Sequence, residues 1–206
     1  MSRVDHTTRK RCVYTMVDSP VGRLTLVATD AGLAAILWEN DRPHRVPLDI
    51  AAEDTRHPVL VETARQLEEY FAGVRKEFSL RLDVAGTLFQ RKVWNALLTI
   101  PFGETRSYGQ IAAQIGNRAA VRAVGAANGR NPVSIVAPCH RVIGSTGKLT
   151  GFAGGLGVKA QLLAFEGAKT EACASSSSST AGSRGAARVR APSSFRPLRD
   201  TVTPER

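Results

Sequence analysis

The sequence predicts an α+β chain: a small antiparallel sheet with one helix, then a mainly helical segment, then a disordered tail. Three observations carry that expectation. Short apolar runs separated by turn residues fill the first 40 positions, three- and four-residue apolar spacing takes over from residue 58, and a polar stretch containing Ser175 to Ser179 in a row lies near the end. With 206 residues, 43% of them hydrophobic, there is material for one large domain or two small ones.

Residues 12–18, 23–29 and 33–38 read as strands of an antiparallel meander. They are broken at Ser19-Pro20-Val21-Gly22 and Asp30-Ala31-Gly32, where Pro-x-Gly and Asp-x-Gly supply turns. From Pro58, the residues Leu60, Ala64, Leu67 and Phe71 recur at helical spacing, and Gly73 marks the stop. A strand over 78–84 is expected to close the sheet. This first domain, 1–84, shows no catalytic constellation and reads as a scaffold.

The second domain, 85–168, reads as helices. Phe89, Val93, Trp94 and Leu97 form one stripe ending at Pro101; Tyr108, Ile111, Ala112 and Ile115 form another ending at Gly116-Asn117. A third helix is expected over 118–128, and the pair joined by the Gly-Asn turn reads as a helix-turn-helix. Ala119, Ala120, Ala123, Gly125, Ala126 and Ala127 give this helix little bulk, while Arg118, Arg122 and Arg130 give it charge. Such a surface fits closely against a sugar-phosphate backbone.

Charge follows the same division. The chain carries 28 Lys and Arg against 18 Asp and Glu, a net +10. Residues 1–84 are close to neutral, whereas within 85–168 the only carboxylates are Glu104 and Glu166. That composition points to a polyanion, nucleic acid first. The remaining 38 positions, 169–206, mix Ser, Arg and Pro with one aromatic residue, Phe195, and read as a disordered basic tail. No run approaches the roughly 18 apolar residues of a membrane span, and the charged start lacks the apolar core of a signal peptide. The expected location is cytoplasmic, at the nucleoid, or nuclear in a eukaryote. Cys12, Cys139 and Cys173 form no CxxC pair, so neither a disulfide framework nor a metal site is indicated.

Cys139 is the candidate nucleophile. Pro132 and Pro138 bracket an apolar run that reads as a short extended segment, placing Cys139 at a strand end where the chain turns. A thiol attacks as thiolate, and His140 and Arg141 are the neighbours that favour that form. A histidine base needs a third group to orient it. Glu166 follows the apolar pattern Val158, Leu162, Phe165 and precedes Gly167, so it sits at a helix C-terminus, where the dipole disfavours a carboxylate by up to about 1 kcal/mol. An internal partner such as His140 resolves that conflict.

The series Asn131-Pro132, Pro138-Cys139-His140-Arg141-Val142 and Thr150-Gly151-Phe152-Ala153-Gly154-Gly155 resembles the O6-alkylguanine-DNA alkyltransferases, the methylated-DNA–protein-cysteine methyltransferases. The resemblance runs from about Gly86 to Gly167 and includes Phe89 through Trp94, Tyr108-Gly109-Gln110-Ile111-Ala112 and Arg122-Ala123-Val124-Gly125. It implies a ribonuclease-H-like first domain and a winged-helix-like second one. It also implies direct repair, in which the O6-alkyl group of a flipped guanine, or the O4-alkyl group of thymine, moves irreversibly to the protein's own cysteine.

On that resemblance Cys139 is the acceptor, His140 relays its proton through a water, Glu166 orients His140, and Asn131 braces the turn. Tyr108 contacts the guanine and the phosphate side, and Arg122 takes the place of the extruded base. The resemblance assigns DNA contacts to Arg118, Ala123, Gly125, Ala126, Ala127, Arg130 and Arg141. It assigns the alkyl pocket to Phe89, Trp94, Val142, Gly151, Phe152, Ala153 and Gly154. Ala153 stands where some members have serine, and Phe152 where a tyrosine is frequent. No cofactor is implied. The partner is double-stranded DNA carrying O6-alkylguanine, met by a monomer, with cooperative assembly on DNA left open. Two other readings are a protein that binds alkylguanine without removing it, disfavoured by the presence of Cys139, and a cysteine hydrolase that turns over.

Overall fold

The computed structural model describes residues 11–168. The tail 169–206 lies outside the described residues.

The first domain holds β1 (Arg11–Val17), β2 (Leu24–Thr29), β3 (Gly32–Trp38), β4 (Asp49–Glu53) and α1 (Pro58–Phe71). The meander forms as the turn chemistry requires, β1 pairing antiparallel with β2 and β2 with β3. The sheet order is β3-β2-β1-β4, and β4 runs parallel to β1, so the sheet is mixed rather than purely antiparallel. All five β4 residues are exposed, which is why Asp49-Ile50-Ala51-Ala52-Glu53 carries no alternating pattern. The expected strand at 78–84 reduces to one bridge, Leu33 with Leu82. The free edge of β3 receives Leu82 at one point and Val133 of the second domain at another, through the Ile36–Val133 bridge and Ile36 N–H to Pro132 O at 2.8 Å. The edge is thereby shared between both domains.

The second domain holds α2 (Leu88–Leu98), β5 (Arg106–Ser107), α3 (Tyr108–Gln114), a 3-10 turn at Arg118–Ala120, α4 (Val121–Gly129), a 3-10 turn at Cys139–Arg141, β6 (Val142–Ile143) and α5 (Gly155–Phe165). Two reciprocal caps start its helices. Thr87 with Gln90 caps α2, and Ser107 with Gln110 caps α3. The second cap fixes Tyr108 as the first residue of α3. α2, α3 and α4 pack together through Val93, Leu97, Ile111, Ala112 and Val124, all buried, and this core is continuous with Leu24, Leu26, Leu60 and Leu67 of the first domain.

The segment from Val133 to Ala137 is a buried turn, not the extended segment the flanking prolines predict. Ala137 N–H closes back on Val133 O at 2.9 Å, and Ile135 takes φ +73°. A β-branched residue in that region costs of order 1–3 kcal/mol, which full burial of Ile135 offsets. Cys139 therefore opens a 3-10 turn instead of ending a strand.

Candidate active site

The site centres on Glu166, the residue after the last turn of α5. Gly167 follows at φ +69°, a conformation glycine adopts freely, and this ends the helix with the carboxylate turned inward. Glu166 Oε1 accepts from Tyr70 OH at 2.6 Å, from Arg141 at 2.8 Å and from His140 Nε2 at 2.9 Å; Oε2 accepts from Arg141 Nε at 2.8 Å and Gly103 N–H at 3.3 Å. Burial would push this carboxyl up, but the donors from His140 and Arg141 outweigh it and hold the group well below the usual carboxylate range.

Since Glu166 is a carboxylate, His140 Nε2 carries the proton on their shared bond and Nδ1 is the lone pair. Burial pushes the His140 pKa down against the pull of Glu166, so the ring is neutral at neutral pH. His140 Nδ1 is buried and has no hydrogen-bond partner. A neutral imidazole with its other nitrogen pinned to a carboxylate is a general base awaiting a proton.

Cys139 is 2% exposed. Burial pushes its thiol up, while hydrogen bonding from Asn131 and Ser134 and the charges of Lys159 and Arg45 act against that. Asn131 ties the turn together, its Nδ2 donating to Ala137 O at 2.7 Å and its Oδ1 accepting from Val133 N–H at 3.1 Å. Lys159 of α5 is wholly buried, its Nζ donating to Val142 O at 2.5 Å and Thr150 O at 2.7 Å; burial lowers its pKa to about 8.

A cleft of about 280 Å³ lies between Tyr108 of α3, Gly125, Gly129 and Arg130 at α4, the segment Gly151-Phe152-Ala153, and the loop from Arg42 to Arg45. Phe152 stands edge-on to Trp38 (centroids 5.4 Å apart) and His140 (6.4 Å), so the lid segment rests on the first domain while flanking the base. Thr150 Oγ1 donates to Tyr108 OH at 3.2 Å across the mouth. A Cβ on Gly154 would come within 2.8 Å of the Trp38 ring, so only glycine lets the lid lie this close.

Comparison with known proteins decides the family. Residues 88–168 match the model of the 6-O-methylguanine DNA methyltransferase DNA binding domain, and residues 12–84 that of its ribonuclease-like domain. The chain belongs to the 6-O-methylguanine DNA methyltransferase family. The methylated-DNA–protein-cysteine methyltransferase of Mycolicibacterium paratuberculosis is 52% identical over 153 residues, covering 74% of this chain and 91% of the relative. That of Methanosarcina acetivorans is 48% identical over 154 residues, covering 75% and 97%. The crystal structure of Mycobacterium tuberculosis O6-methylguanine methyltransferase superposes with a TM-score of 0.66 at 47% identity, covering 76% of this chain and 93% of that one. Mycobacterium tuberculosis OGT in complex with DNA gives 0.65 at 46%, covering 76% and 92%.

In this methyltransferase-family chain the structure gathers Cys139, His140, Glu166 and Asn131 around one turn and sets Tyr108 at the cleft. Arg118, Arg122, Ala123, Ala126 and Arg130 are exposed and Gly125 is half-buried, as a contact surface on α4 requires. Two expected DNA contacts are corrected. Ala127 is 3% exposed, with its carbonyl accepting from Trp94 Nε1 at 2.9 Å; it is the inner face of α4. Arg141 is 5% exposed and committed to Glu166 and to Ile100 O at 2.6 Å, so its charge is spent inside. Among the expected pocket residues, Gly151, Phe152 and Ala153 line the cleft. Phe89, Trp94, Val142 and Gly154 do not: Trp94 and Val142 are core beneath α4 and the turn, Phe89 packs against that core, and Gly154 faces Trp38.

The first domain is more than the scaffold its sequence suggests. Tyr70 bonds Glu166, Trp38 Nε1 donates to Ser134 Oγ at 3.3 Å, and Arg45 donates to the Asn131 carbonyl. For Tyr70 a signal was present: a hydroxyl-bearing ring stands three residues after Leu67 on the apolar stripe of α1, and a buried tyrosine hydroxyl needs a partner. Lys159, set amid the apolar residues of α5, carried the same kind of signal.

Proposed function

We infer that this protein repairs DNA by transferring the alkyl group of O6-alkylguanine to Cys139, once per molecule. The observation that carries this is the buried His140–Glu166 pair beside Cys139, with His140 Nδ1 unpartnered, in a member of the methyltransferase family.

The geometry supports the following steps. Arg118, Arg122 and Arg130 attract the phosphate backbone, and the small residues of α4 allow it close. The target base leaves the stack at a cost of a few kcal/mol, partly offset by Arg122 filling its place. His140 Nδ1 takes the thiol proton, directly or through a water, and Glu166 stabilises the imidazolium. The sulfur attacks the alkyl carbon, an S–C bond forms as the C–O6 bond breaks, and the base departs as the guanine anion, held by a hydrogen bond from Tyr108, until the proton that His140 took from the thiol passes to it through water and gives neutral guanine. The product is a thioether with no good leaving group, so the thiol is not regenerated. We propose that the protein acts as a monomer on duplex DNA and in the cytoplasm.

Burial of the thiol fits this use. An exposed thiolate would be consumed by any oxidant or electrophile, whereas Cys139, 2% exposed, is shielded from solvent. The test is stoichiometry: with excess duplex carrying labelled O6-methylguanine, label on the protein reaches a plateau at one methyl per chain. Turnover beyond one identifies a hydrolase, and tight lesion binding with no transfer identifies a non-transferring reader.

A further inference from the structure

Arg45 lies in the loop between β3 and β4, in the domain whose sequence shows no chemistry, yet its side chain is only 4% exposed. It forks onto Asp41, Nε to Oδ1 at 2.6 Å and a terminal nitrogen to Oδ2 at 2.5 Å. Its other terminal nitrogen donates to the main-chain carbonyl of Asn131. His44, next to it, takes φ +58°, a left-handed conformation uncommon for a residue other than glycine. Asn131 is the residue whose side chain ties Val133 to Ala137 and so sets where Cys139 begins its turn.

We propose that Arg45 is a positioning residue for alkyl transfer: held by Asp41, it fixes the Asn131 carbonyl and with it the turn that presents the Cys139 thiol. The first domain then takes part in the chemistry. The geometry is specific to arginine, because one planar guanidinium must satisfy a carboxylate with one edge and a carbonyl with another. A lysine supplies the charge and one of these contacts. The Asp41–Arg45 pair is internally neutralised, so its effect comes mainly through position and only partly through charge. The other charged or titratable groups that act on Cys139 are Lys159 from α5 and Tyr108 from α3, while His140, next in the chain, is bound to Glu166, which also holds Arg141. None of them touches the Asn131 carbonyl.

The part concerning transfer rests on the function proposed above; presentation of the thiol does not. Single-turnover reaction with free O6-benzylguanine and alkylation by iodoacetamide are measured across pH for the parent, R45M, R45K and D41N. For R45M, benzyl transfer at neutral pH falls about ten- to hundredfold, the scale expected of a reacting group displaced by a fraction of an ångström to 1 Å. The iodoacetamide pH profile of R45M moves away from the parent's, R45K recovers part of both, and D41N, which keeps the guanidinium but loosens it, lies between. Profiles of R45M and D41N that superimpose on the parent overturn the assignment. So does a loss that is uniform across pH, tracks the folded fraction and is not recovered by R45K, since that is what a purely structural contact gives. If the parent takes an alkyl group neither from O6-benzylguanine nor from duplex carrying O6-methylguanine, the transfer reading fails and the iodoacetamide arm still decides the role of Arg45.

Discussion

The hydroxyl of Tyr70 and the imidazole of His140 donate to the same oxygen, Glu166 Oε1, at 2.6 and 2.9 Å. One donor comes from the last turn of α1 in the first domain and the other from the turn that carries the thiol, so the orientation of the base depends on how the domains meet. Tyr70→Phe removes one donor from a buried carboxylate and is expected to cost about 1.5–3 kcal/mol, read as a lower denaturant midpoint. Transfer should slow by less than tenfold, because Arg141 and His140 still hold Glu166. An unchanged midpoint would show that the hydroxyl does not carry this bond.

Arg141 separates an internal from an external use of charge. Arg141→Met leaves Glu166 without its two-pronged partner, and breaking a buried pair typically costs about 3–5 kcal/mol. The slope of log affinity for duplex DNA against log salt should stay at the parental value, since no phosphate contact is lost. A slope reduced by about one counterion would return Arg141 to the DNA-facing surface.

The pH dependence has a definite sign. His140, lowered in the fold, stays neutral where the unfolded chain already charges, so stability falls as pH drops below about 6.5. Glu166, also lowered, contributes stability that is complete above about 4.3 and is lost as pH falls through its folded value. Thermal melts should therefore show a first decline below about 6.5 and a steeper one below about 4.3. Glu166→Gln, measured relative to its own neutral-pH stability, should lack much of the second. A parent melting curve flat from neutral pH to pH 4 would contradict the buried His140–Glu166 pair.

Arg122 distinguishes opening the stack from transferring the group. Arg122→Ala is expected to slow repair of duplex by several-fold to hundreds-fold, about 1–3 kcal/mol, while reaction with free O6-benzylguanine changes little. Tyr108→Phe should slow both, because the hydroxyl assists departure of either base. Equal losses of Arg122→Ala on both substrates would place its effect at the thiol or in the fold.

What the sequence made legible here was local. The apolar spacing of Tyr108, Ile111, Ala112 and Ile115 placed Tyr108 on a helix, the α5 pattern with Gly167 placed Glu166 at a helix end in need of a partner, and Arg118, Arg122 and Arg130 marked the open face of α4. The contacts it hid are those made across the domain boundary. Nothing in the local pattern of Arg42-Pro43-His44-Arg45 shows that the last of these reaches Asn131, and Trp38 reads as an ordinary strand end until Ser134 and Phe152 pack on it. The run at 133–137 misled for a different reason: apolar residues between prolines read as extended, but its main chain turns through Ile135 because tertiary burial overrides local preference. Arg141 misled because a basic residue in a basic domain reads as a surface charge until its carboxylate is located.

The central claim is that Cys139 is the alkyl acceptor, and mass spectrometry of the protein after exposure to duplex DNA containing O6-methylguanine tests it most directly. The expected result is the mass of one methyl group, located by fragmentation on Cys139, with Cys12 and Cys173 unmodified and Cys139→Ala protein unlabelled. Stoichiometric methylation of the Cys139→Ala protein, or of either other cysteine in the parent, would contradict it.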